Sequence, residues 1–298
     1  MSSKARTVSF ISASGGVGKT TLSIFLAKWV IDRRHVSPLK LLLVDLDPTA
    51  GLSLSLMTEE EYEDKLNRGF TLVNLYDDYS KGMPWRKISD YVTSVKHEGV
   101  SLNVLIPGEE LGRVVEELWR TGRPGKKFQE MLYKSGAYTL YDFIIFDTAP
   151  FFDIRYTVLS IYAAEKHVVV LRPSVVDCRR TARMLKNLME YASDFDRETS
   201  EYVKRFLGVI NLARTGTIEW DVLMSLGFND AGAKLDSKQD QRREKLKEEL
   251  EGLMRVIEFS KYALTLKVDI ARLELKEAVK KEKVMEALLN RIWEHAVK

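Results

Sequence analysis

The chain reads as an α/β protein with a mostly parallel, twisted sheet flanked by helices on both faces, and three observations predict this class. Short β-branched runs alternate with longer helical patterns from one end to the other, the rhythm of βαβ units. A glycine-rich turn follows the first buried strand and opens an amphipathic helix. Two further apolar strands end in aspartate, as strands do when the carboxyl edge of a parallel sheet carries a site.

In chain order, strands are expected at Thr7–Ser12, Leu41–Val44, Ser101–Leu105, Phe143–Phe146, His167–Leu171 and Leu207–Asn211. A helix over Thr20–Arg34 brings Leu22, Leu26, Trp29 and Val30 to one face, and Cys178–Ala192 repeats the pattern. Thr58–Gly99, with Gly82 and Pro84 as breakers, reads as helix plus loop. Asp236–Glu251 is mostly charged at helical spacing and reads as a solvated helix. One domain over residues 1–298 is expected, with a helical insertion at about 54–100 and a variable charged part at about 228–298.

Composition narrows the functions. Across 298 residues, 46 basic groups face 43 acidic ones for a formal charge of +3, so nucleic-acid binding requires local clustering. Cys178 is the only cysteine, which excludes an internal disulfide and a cysteine-ligated cluster within one chain. The start of the chain lacks a signal-peptide pattern and no run approaches the length of a membrane span; a soluble, cytoplasmic protein is expected.

SGGVGKT, running from Ser14, supplies the chemistry of a phosphate loop. Gly15, Gly16 and Gly18 allow a tight curl in which successive N–H groups converge on phosphate oxygens. Val17 and Thr21 complete the contact segment. The helix that follows adds the positive end of its dipole. Lys19 can reach the β- and γ-phosphates, and the Thr20 hydroxyl can ligate Mg²⁺. The strict pattern fails only at its first position, where Ala13 stands.

DLDPTAG follows from Asp45 and DTAP from Asp147. Asp45 and Asp47 lie two residues apart on one face of a strand end; Asp147 occupies the position of a metal-binding carboxylate. With the loop they make a metal–nucleotide site, so the fold expected is that of a P-loop NTPase.

These three motifs, in this order over about the first 215 residues, resemble the ParA/MinD group of deviant Walker A ATPases, and Leu105–Leu111 resembles its middle strand and turn. The resemblance implies ATP and Mg²⁺ as cofactors and slow hydrolysis of ATP to ADP and phosphate. It implies that Lys19, Asp45 and Asp47 are catalytic, Asp47 positioning the hydrolytic water. It also makes Thr20, Asp47 and Asp147 the metal shell and Asn211 the adenine contact. The group's signature lysine, which reaches across an ATP-sandwiched dimer, would fall at Ser14; Arg155 or Lys4 is a candidate substitute.

Within that group the chain looks most like the ParA-type DNA-partition ATPases. The resemblance implies an ATP-dependent homodimer that holds double-stranded DNA without sequence preference, a ParB-like centromere-binding partner that stimulates hydrolysis, and nucleoid association in the cytoplasm. Candidate DNA contacts are Arg179, Arg180 and Arg183, then Lys261, Lys267, Arg272, Lys276, Lys280 and Lys281. The alternative is a MinD-like membrane-associated positioning ATPase, anchored by Val284, Met285, Leu288, Leu289, Ile292 and Trp293 on one face of the last helix.

Overall fold

A computed structural model describes residues 5–33, 39–82, 86–151, 153–192, 199–230, 240–265 and 275–298. Its eight strands are β1 (Arg6–Ile11), β2 (Leu41–Leu46), β3 (Thr93–His97), β4 (Val100–Leu105), β5 (Phe143–Thr148), β6 (Lys166–Leu171), β7 (Phe206–Ile210) and β8 (Glu258–Ala263). They form one sheet in the order β3-β4-β2-β5-β1-β6-β7-β8. Only the β3–β4 pair is antiparallel. Every residue of β2 and of β5 is buried, because helices cover both faces and leave no side for water.

The helices along the chain are α1 (Lys19–Arg33), α2 (Gly51–Leu56), α3 (Glu59–Asn67), α4 (Leu72–Ser80), α5 (Leu111–Arg120), α6 (Pro124–Lys134) and α7 (Ala137–Leu140). They continue with α8 (Ile154–Ala163), α9 (Val175–Ala192), α10 (Thr199–Val203), α11 (Ile218–Ser225), α12 (Gln241–Val256), α13 (Leu275–Lys281) and α14 (Met285–Val297). Against one sheet face Leu22, Leu26 and Val30 of α1 pack with Leu288, Leu289 and Ile292 of α14. On the other, α4 to α8 share a core built on Leu42, Val44, Ile144 and Phe146, and a third cluster joins α9, α11 and α12 around Ile11, Leu171 and Ile210.

All six strands expected from the sequence are present, and two more flank them. β3 lies at the end of the segment read as helix plus loop, where Glu98 and Gly99 turn the hairpin with positive φ. β8 follows the charged helix, and its register with β7 shifts between Gly208 and Ile210. A ring of Phe259 lies so close to Gly208 that a Cβ there would sit 2.7 Å from it. Of the charged segment, residues 236–239 lie outside the described residues; the rest runs into α12, whose Leu246, Leu250 and Leu253 are buried while most of its acids and bases are exposed or half-buried. The apolar stripe of α14 is also buried: Met285, Leu288, Leu289 and Ile292 are each 0% exposed. Val284 and Trp293, the rest of the stripe, are half-buried against the same core, so the stripe faces the sheet.

Candidate functional site

The carboxyl ends of β2, β5 and β1, adjacent in the sheet, bring the motifs together. Asp45 and Asp147 are opposite each other in the β2–β5 ladder, and Phe10 of β1 faces Asp147 from the other side. The loop after β1 then turns over this edge, the place where ligands bind in open α/β sheets. Gly16 and Gly18 adopt φ of 65° and 90°, a backbone region costly for residues with a Cβ. At Gly18 a Cβ would also stand 2.4 Å from Asn211 Nδ2, so glycine is required there twice over.

Lys19 opens α1 and is nearly buried, its Nζ donating to Ser12 Oγ at 2.8 Å. Burial lowers its pKa, while the charges of Asp147 and Asp47 pull the other way. Asp147 accepts from Thr20 Oγ1 at 2.6 Å and Ser23 Oγ at 3.1 Å. Burial pushes its pKa up to about 6, against the Thr20 bond and the Lys19 charge. Asp45 is fully buried and accepts from the Asp47 N–H at 3.0 Å, and from the Ser53 N–H and hydroxyl at 2.9 and 2.7 Å. Burial, with the charge of Asp147 added, raises its pKa to about 7. Asp47 is half-buried and accepts from the N–H and hydroxyl of Thr49 at 2.9 and 2.6 Å, an Asx-type turn at the strand end.

Asn211 follows β7 directly and donates from Nδ2 to the Val17 carbonyl at 2.7 Å. Its Oδ1 is buried without a partner, and a buried acceptor left unmade is costly. A cavity of about 960 Å³ lined by Arg172, Pro173, Leu212, Ala213, Arg214 and Thr217 opens next to it. A buried, unpaired acceptor one residue from the cavity lining, a loop whose glycines keep Cβ atoms out of the way, and a lysine parked on a serine together fit a nucleotide with its phosphates on the loop. Among the described residues no three His, Cys, Asp or Glu side chains group tightly enough to hold an ion alone. A magnesium ion held by Thr20 and a carboxylate would therefore draw its other oxygens from phosphate and water, which is how Mg²⁺ is ordinarily bound.

The basic candidates are less united. Arg179, Arg180 and Arg183 are exposed on α9, though Arg179 bonds Glu249 at 2.5 Å. Lys261 donates to the Leu226 carbonyl at 3.1 Å and lies over the Phe228 ring. Lys276 and Lys280 are exposed on α13, and Lys281 ends it; Lys267 and Arg272 lie outside the described residues, as does Lys4. Arg155 is bonded to Asp153 of its own helix cap, with Nε 2.9 Å from the carboxylate.

Sequence reasoning missed Ser12, Ser23 and Ser53. A signal existed for Ser23: it stands four residues after Lys19 and three after Thr20, hence on the helix face that meets Asp147. It also missed that Ser14, unremarkable by itself, donates to Asp177 at 2.7 Å from 163 positions away, a contact with no local signature.

A family model described as an AAA domain matches residues 5–200. No curated protein matches the chain in sequence. Among solved structures, the ATP complex of a Cyanothece McdA variant superposes with a TM-score of 0.64 at 15% identity, over 98% of this chain and 96% of that one. The MinD of an Aquifex aeolicus MinC:MinD cell division complex gives 0.61 at 17%, over 99% and 97%. A plasmid partition protein from Borrelia burgdorferi B31 bound to AMPPNP gives 0.54 at 16%, over 86% and 100%.

Proposed function

Starting from a chain that belongs to this AAA-domain family and is ParA/MinD-like, we propose that it is an ATP-driven switch for DNA partition. ATP and Mg²⁺ join two copies into a homodimer that holds duplex DNA without sequence preference. Hydrolysis, stimulated by a centromere-binding partner, releases it. The observation that carries the reading is the meeting of Lys19 and Thr20 with Asp45, Asp47 and Asp147 at one sheet edge. The related folds crystallised with ATP and with AMPPNP support the choice of nucleotide, and a plasmid partition protein among them supports the process.

The residues divide the work by burial. Lys19 turns from Ser12 to the phosphates and regains in charge pairing what burial takes from it. Thr20 and Asp147, already bonded to each other, would hold the metal ion, which supplies charge neutralisation when bound. Asp47 is the carboxylate water can reach, so it orients the attacking water; Asp45, sealed behind it, ties the strand end to α2 through Ser53. Loss of the terminal phosphate loosens Asp45–Gly51 and the segment from Asp147 to Phe151 together, a switch by local ordering. Asn211 and the adjoining cavity take the adenine.

DNA contact belongs to Arg180 and Arg183 first, since they are exposed where Arg179 and Lys261 already have partners, with Lys276 and Lys280 on α13 as a second set. A membrane role has less support, because the α14 stripe is core. The test is binding to arbitrary duplex DNA with and without ATP across a salt series. Wild type and Asp47→Ala should bind only with ATP, and Arg180→Ala should lower the salt slope by about one phosphate contact. Equal binding in every nucleotide state would remove the DNA reading.

A further inference from the structure

A chain of hydrogen bonds leads from Lys19 to the first turn of α9. Ser12 Oγ accepts from Lys19 Nζ and donates to the Ser14 carbonyl at 2.7 Å. Ser14 Oγ donates to Asp177 Oδ1 at 2.7 Å, and Asp177 Oδ2 accepts from Arg172 Nε at 2.6 Å. Ser14 and Asp177 are each only 3% exposed, whereas Arg172 reaches the cavity beside Asn211.

Helix capping explains part of this. Asp177 is the third residue of α9, where an acid suits the dipole, and its N–H donates to Ser174 Oγ at 3.2 Å. Capping does not, however, require the carboxylate to be buried against a loop on another strand. A lone buried carboxylate beside an anion-binding loop would also oppose the anion. Arg172 neutralises it, so the pair is electrically quiet toward the loop and its remaining effect is mechanical.

We infer that Asp177 is a positioning residue for the nucleotide loop: through Ser14 it fixes the first half of the loop to α9, so that loop shape and α9 placement change together. This rests on the nucleotide reading of the loop. Lys19 can leave Ser12 for phosphate without breaking the link, because Ser12 keeps its own bond to the Ser14 carbonyl. Arg180 and Arg183 follow Asp177 within the next two turns on the exposed side of α9, so the link connects nucleotide arrival to that surface.

The experiment compares Ser14→Ala, Asp177→Ala, their double variant and Asp177→Asn. Hydrogen exchange without nucleotide should quicken in the loop amides and in the first turns of α9 together in either alanine variant. Calorimetry should show Mg-ATP binding weakened by about tenfold in each, as for one bond to a charged group, with the double variant no weaker than a single one. Asp177→Asn, which can still accept from Ser14 but turns an N–H toward Arg172, should weaken binding less than Asp177→Ala. Loop exchange unchanged in the alanine variants, or additive losses in the double variant, would overturn the inference. Wild type that takes up no Mg-ATP would instead overturn the nucleotide reading, and coupled exchange would still support the link.

Discussion

α1 and α14 pack side by side on the same sheet face, and they are held there by opposite means. α1 buries Lys19, Ser23 and Lys28 among its apolar residues: Lys19 bonds Ser12, Ser23 bonds Asp147, and Lys28 pairs with Glu98 of the β3–β4 hairpin. α14 buries Met285, Leu288, Leu289, Ile292 and Ala296, and its one buried polar group is His295. Arg33 and Glu286 pair across the seam. The difference teaches where function is concentrated. The helix that begins the site tolerates buried charge because specific partners receive it, whereas its neighbour contributes area.

If that division is right, changes on α14 alter stability and leave nucleotide affinity alone, whereas changes to Lys19 and Ser23 on α1 alter nucleotide affinity. The largest expected effect is removal of everything after Glu282, which strips the whole stripe from the core and should yield insoluble protein. A truncated protein that stays soluble and folded would break the comparison. Leu288→Ala should cost about 2–5 kcal/mol in denaturant unfolding with Mg-ATP affinity unchanged by calorimetry.

His295 gives a smaller, pH-dependent effect. Burial lowers its pKa to about 4, and its Nε2 is bonded to the Arg205 carbonyl at 2.9 Å. Unfolded histidine takes a proton near pH 6.5 and the folded one resists it. The resulting stability is therefore complete above pH 6.5 and is lost as pH falls toward 4, by at most about 3 kcal/mol. Asp45 and Asp147, raised to about 7 and 6, act with the opposite sign. The measurement is thus the difference between wild type and His295→Gln, which should shrink from pH 7 to pH 4; a constant difference would contradict it. The smallest effect is expected from Ser23→Ala, which removes one of two hydroxyl bonds to Asp147. It should cost about 1 kcal/mol of Mg-ATP binding, read by calorimetry.

The same pair of helices shows what the sequence made legible. The loop before α1 could be read because phosphate binding needs glycine, lysine and threonine in consecutive positions, so the whole device fits in one local window. Asp45 and Asp147 were equally readable, each closing an apolar strand. α14 was not decided locally: an apolar stripe has the same spacing whether it faces a sheet or a lipid surface, and only the burial of Leu288 and Ile292 against α1 distinguishes them. β3 escaped notice because its burial alternates only over Thr93–Lys96 and the turn at Glu98–Gly99 is short. β8 was hidden by Glu258 and Lys261, which are exposed on the sheet's last strand. Ser14 and Asp177 needed the fold to meet.

The most direct test of the account is calorimetric titration of the protein with ATP in the presence and absence of magnesium, repeated on Lys19→Ala. Saturable binding at one site per chain is expected, strengthened by magnesium and weakened about 10- to 100-fold by the substitution, as loss of a buried charge-assisted contact should do. No heat of binding in wild type, or equal affinity in Lys19→Ala, would contradict it.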